Sequence, residues 1–344
     1  MDEDVKRRAL IAEALAAALG NVILGTGEPI ELALPTGQVL PPRLSMVHVH
    51  IVRAVTDHLR GVARYYGGQA GAFGAVSTIY TQWMQVPAPE VVTTQLAAAL
   101  AELRTEAGWC CHDDGVDGTG HFSRAFKLAA KAGDAYGIAN AALHAGVTLV
   151  RSGHPNDALK FFQAGQIRLQ GLAPGKPAPP PDDPRLPTLT ARLSRQSATA
   201  SALMGDREEA TRCLAEANEG WEPRTAFERA GGNFVTAGIH LDLGQLDAAE
   251  HFAASAVRTY SESEGRYRRG HTQTELLLAE VHIRAGEPQG LTLAHHAIEQ
   301  VKTLQSIAAR RERLIPLATA LDARPGTDAR DLARTARQVA ATRI

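Results

Sequence analysis

Residues 134–170 read DAYGIANAALHAGVTLVRSGHPNDALKFFQAGQIRLQ. Two Ala-rich patterns with helical spacing flank the turn Ser152-Gly153-His154. Gly146 falls mid-way along the first, where two antiparallel helices approach most closely and a side chain is least welcome. Ala158, Phe162 and Gly165 follow in the second at i, i+4 and i+7. Those positions share one helix face, so they form a packing stripe of small, bulky and small residues. The stretch therefore predicts a helix hairpin closed by a glycine turn.

The same unit recurs along the chain. Further turns stand at Asp113-Asp114-Gly115, Met204-Gly205-Asp206, Leu243-Gly244-Gln245 and Ala285-Gly286-Glu287. Their glycines, with Gly153, are spaced 38, 52, 39 and 42 residues apart. The long interval holds residues 173–187, with seven prolines in fifteen. Proline lacks the N–H and fixes φ, so this stretch predicts a loop, and removing it restores a period of about 40. Small and bulky residues fall in register in most units. Ala198, Ala210, Leu214 and Ala217 fit around Gly205, and Ala237, Ala249 and Ala256 fit around Gly244, with Ala253 underfilling the bulky position. Gly108, Trp109, Phe122 and Ala125 fit the first unit, whereas the last keeps Ala279 but carries Leu291, His295 and Ile298 in its second helix. A fixed period of helix hairpins with small contact residues predicts an all-α, right-handed superhelix of antiparallel hairpins, a tetratricopeptide-like solenoid.

The flanks complete this organisation. Helices are predicted over Glu3–Leu19, Ser45–Tyr65 and Ala70–Met84, with a loop over Gly25–Pro42. The stretches Ser306–Leu321 and Ala329–Ala341 predict closing helices, with Thr327 as an N-cap. The domain reading is an N-terminal helical region over 1–88, repeats over 89–305 and capping helices over 306–344.

Composition agrees with a helical array and narrows the function classes. Aromatics are 5% of 344 residues, and the formal net charge is −1, which gives no global drive toward nucleic acid or anionic membrane. Cys110, Cys111 and Cys213 are too few and too awkwardly placed for a disulfide framework, which points to a reducing cytoplasm. Lys6-Arg7-Arg8 before an apolar run is superficially similar to a twin-arginine export signal, but Glu13 interrupts that run and a helix is the preferred reading. No stretch has the ~18 uninterrupted apolar residues of a membrane span.

Several segments resemble a known family. Arg53-Ala-Val-Thr through Tyr66-Gly-Gly68, Glu106-Ala-Gly-Trp109, Leu128 to Asp134 and Ala323 to Arg330 resemble the C-terminal sensory half of actinobacterial helix-turn-helix transcriptional regulators of the xenobiotic-response-element type. That resemblance implies a sensory or docking array in transcriptional control. The first forty residues are too few, and too broken by glycine and proline, for the small DNA-binding domain those regulators carry. The chain is thus either a fragment or a stand-alone relative acting through another protein.

Catalytic chemistry is not evident. The sequence has no H-E-x-x-H, G-x-S-x-G or Walker motif. Asp117-Gly-Thr-Gly120 has Gly115 where a phosphoryl-accepting aspartate would stand, and Gly67 to Gly74 lacks the strand–loop–helix context of a phosphate cradle. His48, His50 and His58 lack the i, i+3 or i+4 spacing that brings ligands onto one zinc ion, and the adjacent His295 and His296 diverge on a helix. No metal or cofactor is expected. Residues 302–344 carry about +5 of charge, with Arg330, Arg334 and Arg337 on one helix side. Without an aromatic or a reading helix this is taken as a solvated face, and no direct sequence-specific DNA binding is expected.

The first helix of each hairpin lines the inner side of such an array. The projected lining is Trp109 and His112; Asn140, Leu143, Val147 and Arg151; Arg192, Arg195 and Thr199; Phe234, Gly238 and Leu241; and Gln273, Leu276, Glu280 and Arg284. Arginines and amides among apolar side chains suit an extended peptide or a small acidic metabolite, because Arg grips carboxylates bidentately. Arg192 and Arg195, at i and i+3, are expected to face nearly the same way beside Phe234. The expected function is a peptide, small-ligand or protein-binding module, working with a partner that could be a DNA-binding regulator and compatible with a homodimer. A ligand-free assembly scaffold and a helical-repeat enzyme of a biosynthetic pathway are the alternatives.

Overall fold

The computed structural model describes residues 3–19, 40–173, 178–219 and 221–342, with side chains only as far as Ile11 in the first segment. The predicted loop over Gly25–Pro42 lies outside the described residues except for 40–42. Among the described residues the chain is all helical, with fifteen α-helices, one 3-10 turn and no strand. No described helix is long and apolar enough to cross a membrane.

The helices are α1 (Glu3–Leu19), α2 (Met46–Tyr66), α3 (Ala70–Thr81) with a 3-10 turn over Gln82–Gln85, α4 (Glu90–Asp113) and α5 (Thr119–Ala132). Next come α6 (Ala135–Arg151), α7 (Pro155–Leu169), α8 (Leu186–Leu203), α9 (Arg207–Asn218) and α10 (Ala226–Asp242). The last are α11 (Leu246–Ser261), α12 (Arg268–Arg284), α13 (Gln289–Val301), α14 (Ile307–Asp322) and α15 (Thr327–Ala341). The Pro-rich loop ends earlier than 187, because Pro187 is accommodated in the first turn of α8, where its missing N–H is not needed. Thr327 is the first residue of α15, and Gly326 occupies the N-cap position instead.

All five turn glycines are left-handed, with φ between 71° and 81°. At each turn the amide after the glycine closes back on the residue five earlier. The bonds are Val116 to Cys111 (2.8 Å), His154 to Leu149 (2.8 Å), Asp206 to Ser201 (2.9 Å), Gln245 to His240 (2.8 Å) and Glu287 to His282 (3.0 Å). This is the Schellman closure, which satisfies carbonyls a helix end would leave unpaired and which needs a left-handed residue. Side-chain N-caps start the following helices where the sequence supplies them. Asp134, Asp206, Thr225 and Ser306 each accept from the amide three residues on.

The chain divides into two compact units. One comprises Met1–Arg60, Gln69–His112 and Val116–Thr190; the other comprises Gly61–Gly68, Asp113–Gly115 and Ala191–Ile344. In the first, α1 packs on α5, α6 and α7, burying Leu10 and Ile11 with Phe122, Phe126, Ile138 and Phe161. Arg7 of α1 meets Asp157 at 2.8 Å, and Lys6 meets Asp117 at 2.8 Å. Burial pushes the Asp117 carboxyl up, but hydrogen bonds from Lys6 and Thr119 hold it down at about 2. Asp117 thus helps to start α5 and to dock α1.

In the second unit the apolar core passes from hairpin to hairpin. One cluster joins α8, α9 and α10 through Ala198, Leu214 and Ile239. Another joins α10, α11 and α12 through Ala237, Ala253 and Leu277. The last joins α12 to α15 through Leu276, Ile298, Leu317 and Ala333. Nearest-neighbour burial of this kind is how a repeat array is stabilised. The α14–α15 pair also packs together. Asp113, 2% exposed, accepts from Arg269, from Ser306 Oγ (2.7 Å) and from the Gly68 amide (2.7 Å), a fully partnered buried acid.

Candidate ligand-binding face

In the second unit α12 packs against both α10 and α14. Their shared face carries the polar groups. On α10, Phe234, Gly238 and Asp242 recur every four residues and so form one stripe. A Cβ at Gly238 would meet nothing within 4 Å, so the stripe is open above the glycine. On α12, Glu280 is 2% exposed and accepts from Arg284 at 2.6 Å, while the Arg284 side chain is 43% exposed. From α14, Arg313 lies over the Phe234 ring at 5.5 Å.

Asp242 ties the three helices electrostatically. It is solvent-exposed, yet enough protein surrounds it that loss of hydration pushes its carboxyl up to about 6. Arg313 and Arg284 act against that rise, and Glu280 reinforces it. Asp242 is thus an exposed acid on this face whose proton affinity the surrounding protein raises. The face offers one exposed acid, two guanidinium groups and one aromatic ring, with Glu280 buried beneath Arg284. It can hold a ligand carrying both signs of charge and an apolar group.

Most of the projected residues in this unit fall into three sets. Phe234 meets Arg313, and Glu280 and Arg284 lie within electrostatic reach of Asp242 on this face. Leu241 and Gln273 are buried, at 5% and 4% exposure, and belong to the core. Arg192 and Arg195 do not face the same way: Arg192 is exposed and Arg195 is buried. A separation of three residues still leaves ~60° between side chains, enough to place one outside and one within. Arg195 donates to the Ala217 carbonyl (3.3 Å) and to Asn218 Oδ1 (3.1 Å), and stacks 3.7 Å over the Trp221 ring. Burial lowers its guanidinium to about 10. It closes the C-terminal end of α9, so it is not available to an incoming ligand while Trp221 covers it.

Other arginines do the same work. Arg310 donates to the carbonyls of Lys302 and Leu304 (both 2.9 Å), and Arg207 to that of Leu243 (2.8 Å). Arg195, read as a candidate contact, is therefore one of several arginines that act as structural caps for C-terminal carbonyls. The exposed C-terminal arginines are also engaged. Arg337 pairs with Asp322, Arg334 with Asp331 at 3.0 Å, and Arg330 donates to Gly326 O at 3.2 Å.

In the first unit the projected Trp109, His112 and Arg151 do meet. The Trp109 ring lies 5.8 Å from His112 and 5.7 Å from His144, and Arg151 sits 4.9 Å from its centroid. Asn140 and Leu143 are buried at 8% and 1% exposure and pack inside the unit. His48 rests edge-on against Trp83 at 5.3 Å, whereas His50 and His58 are exposed. All three cysteines are buried free thiols, and burial pushes Cys213 up to about 12.

Asp242, Arg313 and His144 were missed in the sequence. Asp242 could have been found, since it continues the Phe234–Gly238 period by one more step. Arg313 could not, because α14 reads in the sequence as a closing helix and its packing against α12 is a tertiary fact. No protein family, curated protein or solved structure matches the chain.

Proposed function

We propose that this chain is a binding module and not an enzyme. Its hairpins stack as a right-handed tetratricopeptide-like superhelix, and the face shared by α10, α12 and α14 takes an extended peptide segment of a partner protein. The observation that carries this reading is the convergence of Asp242, Glu280, Arg284 and Arg313 beside Phe234, with open space above Gly238. Charges of both signs on one face suit a peptide, whose side chains and backbone offer both donors and acceptors. A strictly anionic metabolite would meet repulsion from the two acids.

The partner is proposed to be a transcriptional regulator in the cytoplasm. This rests on the sequence resemblance of Arg53–Gly68, Glu106–Trp109, Leu128–Asp134 and Ala323–Arg330 to the sensory halves of helix-turn-helix regulators. The chain would supply the sensory or docking array and the partner the DNA contacts.

Peptides selected by phage display on the purified chain, then titrated calorimetrically, test the site. Phe234→Ala and Arg313→Ala should each weaken a selected peptide by roughly 10- to 100-fold, the range for losing one desolvated, charge-assisted contact. Unchanged affinity in both folded variants would remove this face as the binding site. Failure to select any peptide would favour a ligand-free scaffold.

A further inference from the structure

We propose that Glu250, His282 and Glu287 form a binding site for a divalent transition-metal ion of the zinc class. Their potential ligand atoms all lie within 4.8 Å of one another. An imidazole with two carboxylates suits zinc and its neighbours, which accept mixed nitrogen and oxygen donors, better than it suits magnesium or calcium, which prefer all-oxygen shells.

The site is built by backbone geometry. His282 lies near the end of α12, and Glu287 follows in the turn to α13. The amide of Glu287 bonds the His282 carbonyl at 3.0 Å, which fixes the two side chains against each other. In a Schellman turn these two positions commonly make an apolar contact. Here they place His282 Nδ1 against a Glu287 carboxylate oxygen instead. Gln289 Nε2 touches the same oxygen at 2.8 Å and lies 3.2 Å from His282 Nδ1, closing a triangle with the pair. Glu250 comes from α11, the second helix of the preceding hairpin, which packs on α12.

Glu250 supplies the independent observation. It is half-buried, and among the described residues its carboxylate meets no hydrogen-bond donor and no cationic side chain. It is nevertheless held within 4.8 Å of a second carboxylate. The neighbouring guanidinium, Arg324, is spent on the backbone carbonyl of Glu287, at 2.6 Å. Two acids at this separation repel, and a bound cation relieves that repulsion while gaining a buried imidazole ligand. The partly exposed Glu287 side chain leaves the site open toward solvent on one side. A bound ion would join α11 to the α12–α13 turn.

The test is calorimetry and thermal melting of the metal-stripped chain with zinc chloride, and with magnesium and calcium chlorides as controls. Zinc should bind one-to-one and raise the melting temperature, while magnesium and calcium leave it unchanged. Cobalt(II) should give the intense visible absorption of a four- or five-coordinate site. Glu250→Gln, at a partly exposed position, should keep the helical circular dichroism and weaken zinc at least about tenfold. Glu287→Gln and His282→Gln should do the same or more. The proposal is overturned if wild type and folded Glu250→Gln bind zinc alike, which would place the ion on surface histidines. It is also overturned if zinc fails to bind, which would leave His282 and Glu287 as a metal-free pair.

Discussion

Gly146 of α6 and the Phe162 ring of α7 occupy adjoining space so tightly that a Cβ at position 146 would overlap the ring. Gly108 and Phe122 repeat the relationship between α4 and α5, where the added Cβ would lie 2.8 Å from Phe122 Cζ. The absent side chain at the first position is what lets the aromatic ring of the second helix reach its neighbour. Gly146→Leu should overpack this contact and cost about 1–3 kcal/mol, and Gly146→Ala should already be felt. Thermal or urea denaturation measures it, and an unchanged midpoint in both variants would show the hairpin register to be misread.

Arg195 is predicted to matter for stability and not for binding. Its Nη2 serves the Ala217 carbonyl and Asn218 from a buried position. Arg195→Met keeps most of the apolar stem over Trp221 but removes the donors, leaving a helix-end carbonyl unsatisfied. The expected loss is about 1–3 kcal/mol, read as a lower denaturation midpoint. Wild-type stability combined with weakened peptide binding would restore Arg195 to the site.

Acid sensitivity should have a contribution from His121. Burial, with Arg104 and Arg124 nearby, lowers its imidazole to about 4, and its Nδ1 lies 3.3 Å from Arg104 Nη1. A histidine held neutral in the fold contributes stability that is fully present above its unfolded value near 6.5. That contribution is lost as pH falls toward 4, because the unfolded chain takes up the proton first. His121→Gln should flatten the stability–pH curve between 6.5 and 4, by an amount on the order of 1–3 kcal/mol. An identical slope in the variant would disprove the assignment.

Direct sequence-specific DNA binding by the chain alone is predicted to be absent. Arg330, Arg334 and Arg337 are each engaged locally, and the net charge is −1. Any residual binding should be weak and should fall steeply with salt, since counterion release would drive it. Mobility-shift and anisotropy assays at physiological salt check this. Nanomolar, sequence-selective binding there would overturn it, together with the need for a DNA-binding partner.

The turns and the small contact residues were legible in the sequence because they are local. A left-handed residue after a helix is almost always glycine, so Gly153, Gly205, Gly244 and Gly286 declare their turns without reference to anything distant. Gly146 and Phe162 were legible for a related reason, since a hairpin with a short turn fixes which residues of its two helices must meet. The fate of the charged residues was not local. Arg192 and Arg195 look alike in sequence, and only the carbonyl of Ala217 and the ring of Trp221, more than twenty residues away, decide that one is buried. The same holds for Asp242 and Arg313, which feel each other's charge because α14 packs beside α12. The sequence by itself determined the helices, their turns and their pairing, because backbone sterics and helix-face periodicity act over a few residues. Tertiary structure alone decided which polar groups are caps and which remain open to a ligand, because desolvation and charge depend on whatever the distant chain brings alongside.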